Sequence, residues 1–103
     1  MRIAEVAKLV EELDGVRRIE RTGLPLEWRY HGRLIARQLD QDHLVIRIDF
    51  DFRDSLLQSD TKTFSVPSRY VKHMMVVADF ATGDGSAIED ALDNAWQLQR
   101  SAD

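Results

Sequence analysis

Between Leu44 and Phe50 the chain has a two-residue period: Leu44, Ile46, Ile48 and Phe50 fall on one side of an extended backbone and Val45, Arg47 and Asp49 on the other. That period belongs to a strand, and a strand with so apolar a face needs a sheet and a core to cover it. Both ends of the chain follow a different period. Ile3, Val6, Leu9, Val10 and Leu13 recur at helical spacing ahead of Gly15, which predicts an amphipathic helix over residues 2–14. Ser86 and Glu89 stand at capping-box spacing, and Ile88, Ala91, Leu92, Ala95 and Trp96 form a stripe, which predicts a helix over about 86–100 with Trp96 buried.

The connecting segments read as hairpins and one short helix. Leu26, Trp28 and Tyr30 alternate with Glu27 and Arg29, His31-Gly32 suits a tight turn, and the return strand runs from Arg33 to Leu39. Asp40-Gln41-Asp42 is turn chemistry. A short helix is expected from Asp51 to Ser59, a strand from Thr63 to Val66 that Pro67 ends, and another from about His73 to Phe80. The expectation is an α+β fold: an antiparallel meander with the N- and C-terminal helices packed on one face. At 103 residues, halves would be too small to bury enough apolar surface, so residues 1–103 read as a single domain.

With no cysteine, disulfides, thiolate metal sites and cysteine nucleophiles are all excluded, and a reducing cytoplasm is the expected location. The first residues lack the apolar core of a signal peptide, and the most apolar run, Met74 to Ala78, is far below the ~20 residues that span a bilayer, so no membrane partner is expected. A formal net charge of −4 opposes wholesale attraction to polyanions. Its distribution is uneven: residues 15–37 hold Arg17, Arg18, Arg21, Arg29, Arg33 and Arg37 against Glu20 and Glu27, while each remaining stretch has a negative surplus.

Three ordered groups of residues carry a family resemblance. They are Arg29-Tyr30-His31-Gly32-Arg33-Leu34-Ile35-Ala36-Arg37, then Asp54-Ser55-Leu56-Leu57 with Phe64-Ser65-Val66-Pro67, and Asp90-Ala91-Leu92-Asp93-Asn94-Ala95-Trp96. In this order the chain resembles the MmcQ/YjbR-like family of small stand-alone domains. It departs in having Gly32-Arg33 where members often carry Gly-Lys, and Met74-Met75 where an aromatic often follows the position of His73. The resemblance implies a CyaY-like "double wing" α+β fold, similar in outline to type III secretion chaperones, and a DNA-binding role of the kind proposed for the family.

No catalytic constellation emerges. His31, His43 and His73 lack a second ligand at zinc spacing, and no metal is expected. Asp40/Asp42 and Asp49/Asp51 are paired carboxylates better read as a turn and a solvated strand end. Gly83-Asp84-Gly85-Ser86 leads into a helix without the glycine or lysine pattern of a phosphate loop, and no serine sits in a nucleophile context. Neither a cofactor nor enzymatic activity is expected. What remains is a basic segment interleaved with aromatics, the combination that holds phosphates and stacks bases. The candidate nucleic-acid-binding residues are Arg17, Arg18, Arg29, Tyr30, His31, Arg33 and Arg37, with Trp28 beside them. The alternative is a protein partner for an adaptor or chaperone-like surface built on Leu24, Met74 and Met75.

Overall fold

A computed structural model describes residues 1–102. Its elements run α1 (Ile3–Glu11), β1 (Val16–Ile19), β2 (Glu27–Tyr30), β3 (Arg33–Gln38), β4 (His43–Arg47), α2 (Phe50–Ser59), β5 (Phe64–Ser65), β6 (Met75–Asp79) and α3 (Gly85–Arg100), with a 3-10 turn at Ser68–Tyr70. Six antiparallel strands form one sheet in the order β1-β2-β3-β4-β6-β5. The meander therefore holds for four strands. The α2 connection then carries the chain past one position to place β5 at the edge, and β6 returns between β5 and β4.

The sheet folds this way because its two faces are unequal. Trp28, Ala36, Ile46 and Val76 lie opposite one another across four strands, and residues directly opposite share a face. This face packs against Val6, Ala7 and Val10 of α1 and Ile88, Ala91, Leu92 and Ala95 of α3, in the main core. The other face carries a smaller cluster of Val45, Val77 and Tyr70, with Tyr70 supplied by the 3-10 turn. Both terminal helices thus lie on one side, as the sequence predicts.

Three local expectations need correction, and one strand goes beyond them. Phe50 is not a strand residue: Asp49 caps α2, its carboxylate accepting from the Phe52 amide at 2.8 Å, so the strand stops at Arg47 and Phe50 turns outward. The Asp49/Asp51 pair accordingly marks a helix start. Helix α3 is capped by Asp84 rather than Ser86, with Asp84 accepting from the Ser86 amide at 2.9 Å. Trp96 is only half-buried, because its indole N–H donates outward to the Asp14 carbonyl at 2.8 Å and the Arg100 guanidinium lies 4.3 Å from its ring. The strand Val16–Ile19 follows α1 directly, in a stretch too short for its alternation to stand out.

One buried cation organises the segment after β5. Arg53 on α2 is 9 % exposed, and its guanidinium donates to the carbonyls of Tyr70, Val71, His73 and Met75 at 2.8–3.4 Å while lying 4.8 Å from the centre of the Phe50 ring. Carbonyl dipoles take the place of a carboxylate partner, and the turn that covers Val45 and Val77 is tied to α2 through this side chain. Arg53→Ala is expected to cost about 2–4 kcal/mol, since it leaves buried carbonyls without their donor. Denaturant unfolding measures the loss, and amide exchange should rise first in residues 70–75.

Candidate nucleic-acid interface

The seven candidate residues divide between the two faces of the sheet. Arg17 stands directly opposite Arg29, and Glu27 directly opposite Arg37, which is in turn opposite Val45. Val45 belongs to the small cluster away from the helices, so Arg17, Arg29 and Arg37 occupy the helix-free face. Arg47 joins them, being opposite Met75, which packs on that same cluster. Arg47 was not among the sequence candidates, although its alternation with Ile46 already set it away from the core.

The other candidates are committed elsewhere. Arg18 lies opposite Trp28 on the helix side and pairs with Glu11 of α1 at 2.7 Å. Arg33 lies opposite Tyr30, donates to the Gln99 carbonyl in the last turn of α3 at 3.0 Å, and sits 5.8 Å from the Tyr30 ring centre. A cation beside a helix C-terminus is a favourable placement that holds Arg33 under α3. Tyr30 packs at the margin of the main core with His31 stacked on it, centroids 4.0 Å apart and 14° between planes. His31 and Gly32 have φ of 49° and 81°, the paired positive values that a type I′ hairpin turn requires, so His31 sits at an exposed tip. Trp28 is fully buried and its indole N–H donates to Glu11 at 2.9 Å. The aromatics interleaved with the arginines in sequence therefore lie off the helix-free face.

On that face the cations are partly held. Glu27 accepts from Arg29 Nε at 3.1 Å, Arg29 also donates to the Gly32 carbonyl at 2.8 Å, and Arg37 reaches the Tyr70 hydroxyl at 3.4 Å. Strands β1 to β4 contain six arginines and a single carboxylate, Glu27. Acidic residues concentrate elsewhere, as in Glu5 and Glu11 on α1 and Glu89, Asp90 and Asp93 on α3. Beside the arginines, Ile19, Arg21, Leu24, Pro25, Glu27 and Arg37 line a hollow of about 320 Å³.

The histidines and paired carboxylates resolve into local structure. Asp40 accepts from the Asp42 amide at 2.9 Å and contacts the His43 ring at 2.8 Å; the amide, then the ring, hold its carboxyl below the usual range. His73 is exposed. Among the described residues, no group of three or more His, Asp or Glu is arranged to hold a metal ion, and no helix is long and apolar enough to cross a membrane. Comparison with protein-family models, curated proteins and solved structures finds no match to this chain.

Glu11 links the main core to the edge strand. Burial raises its pKa, but hydrogen bonds from Trp28 and Arg18 and the Arg18 charge outweigh that and hold it below its ordinary value. A carboxyl with a lowered folded-state pKa contributes stability that is complete above the unfolded value, about 4.5, and is lost as pH falls through the folded one. Arg18 and Glu11 side chains are 39 % and 36 % exposed, so screening keeps the contribution below about 1 kcal/mol. Wild type should therefore exceed Glu11→Gln in thermal midpoint at neutral pH, with the gap closing as pH falls below about 4.5.

Proposed function

We propose that the protein is a nucleic-acid-binding module that holds phosphates on the helix-free face of its sheet. The observation that carries the reading is the cross-strand placement of Arg17 directly opposite Arg29, with Arg37 and Arg47 on the same face. Like charges directly opposite one another cost stability, up to about 1 kcal/mol, and a bound phosphate converts that cost into a shared contact. Four strands about 4.8 Å apart spread the guanidinium groups over a patch on the order of 15 Å. The acidic helices on the opposite side favour one orientation toward a polyanion, and the net charge of −4 then limits indiscriminate binding. The reading agrees with the DNA-binding role that the MmcQ/YjbR-like resemblance implies.

A second reading, a protein-binding adaptor, draws on a different place. Phe50 is 41 % exposed and shares a hollow at the start of α2 with Phe52 and Met74, rimmed by Asp49 and Asp51, a surface suited to a basic and apolar peptide.

The deciding measurement is anisotropy of labelled DNA titrated with the protein at about 50 and 200 mM salt. Three or four phosphate contacts predict an affinity loss over that interval of roughly 20–50-fold for a single strand and roughly 40–150-fold for a duplex. Arg17→Glu alone, and the Arg17/Arg29/Arg37 alanine triple, should weaken binding at least tenfold, while Arg18→Ala on the helix side should change it less than twofold. Absence of binding at 50 mM salt overturns the nucleic-acid reading and leaves the adaptor.

A further inference from the structure

The hollow beside the basic face has a floor and a lip of different origin. Ile19, Glu27 and Arg37 are consecutive cross-strand neighbours on β1, β2 and β3, so the floor belongs to the same face that carries Arg17 and Arg29. The lip is the loop joining β1 to β2, with Arg21, Leu24 and Pro25 facing the hollow. Leu24 is 58 % exposed, the most exposed of the large apolar side chains. Its position is set by the backbone: the Leu24 amide donates to the Arg21 carbonyl at 3.1 Å, closing a turn that Gly23 permits with φ of +78°, and Pro25 restricts the backbone of Leu24 just before it. An apolar side chain held outward by a hydrogen-bonded turn, over a row containing a carboxylate and a guanidinium, is an arrangement suited to a small ligand.

We infer that this hollow receives one unstacked base of a single-stranded nucleic acid whose backbone lies along the arginine face, an assignment that rests on the nucleic-acid reading above. At about 320 Å³ the hollow lies at the small end of ligand-site volumes, enough for one planar ring system and too small for a duplex. Ile19, Leu24 and Pro25 cover the faces of the ring, and the guanidinium groups of Arg21 and Arg37 supply further planar contacts. Arg37 is steadied by the Tyr70 hydroxyl. A paired base keeps its faces stacked on its neighbours, so only an unpaired one enters.

Glu27 gives the site a preference. Its side chain is 13 % exposed, and each oxygen takes a hydrogen bond from Arg29, at 3.1 and 3.5 Å, which leaves lone pairs on both. An ionised carboxylate only accepts, so it favours a base presenting an exocyclic amino group, as cytosine does at N4, over thymine, which presents O4.

The test uses three labelled probes of equal length, oligo-dC, oligo-dT and a mixed-sequence duplex, titrated at about 50 mM salt with wild type, Leu24→Ser and Glu27→Gln. Expected are about tenfold tighter binding of oligo-dC than oligo-dT, and a loss of about tenfold for oligo-dC in Leu24→Ser with the duplex changed less than twofold. Glu27→Gln should bind both single strands and erase the difference between them. Equal affinity for all three probes, insensitive to Leu24→Ser, overturns the base pocket while leaving the phosphate face standing. Failure to bind any probe removes both assignments. Leu24 is exposed, so its substitution tests the lip without disturbing the core.

Discussion

A single extra residue in β3 decides which side of the sheet Arg33 occupies, and with it the tie between the sheet and the end of α3. Trp28 pairs with Ala36, but the next residue, Arg29, pairs with Leu34, so Ile35 is bulged out of register. Both Ile35 and Ala36 are consequently fully buried in the main core, where strict alternation would bury only one of them. Beyond the bulge the facing of the strand is inverted. Without it Arg33 would stand with Arg37 on the open side; with it Arg33 turns under α3 and meets the Gln99 carbonyl and the Tyr30 ring. The surface left for a ligand is what remains after this sorting.

The same sorting sets the limits of inference from the chain alone. Both terminal helices were legible because their apolar stripes are long, and the His31-Gly32 turn because few dipeptides tolerate two positive φ values. Arg17, Arg29 and Arg37 were legible as a basic group, but their common face depends on register, to which composition is blind. Trp28 next to arginines suggested a stacking platform; only the neighbouring helix explains its burial, since its indole partner Glu11 lies 17 residues earlier. Phe50 extended an apolar alternation by one step too many because the capping action of Asp49 outweighs a continuing period. Trp96 fits the apolar stripe, yet its polar edge draws it outward to Asp14.

The arginines that join elements and those on the open face are separate sets. Arg18, Arg33 and Arg53 are engaged with a carboxylate, a helix end and a set of loop carbonyls, and each joins two elements. Arg17 and Arg47 project from the strands of the open face, and Arg29 and Arg37 divide their contacts between neighbours and that surface. A long cation can thus be structural glue or ligand contact depending on one register step, and substitution at one class leaves the other largely in place.

The order of the strands has a further consequence at the rims of the sheet. Its outer members are β1, four residues with Arg17 and Arg18 at the centre, and β5, two residues followed closely by Pro67. Exposed backbone on a sheet border is a template for another chain, and its reach grows with its length. One border here is short and carries Arg17 on its open face and the Arg18–Glu11 pair on the other; the second border is only two residues long. Both borders are thus short, and neither offers a second chain a long run of unpaired backbone.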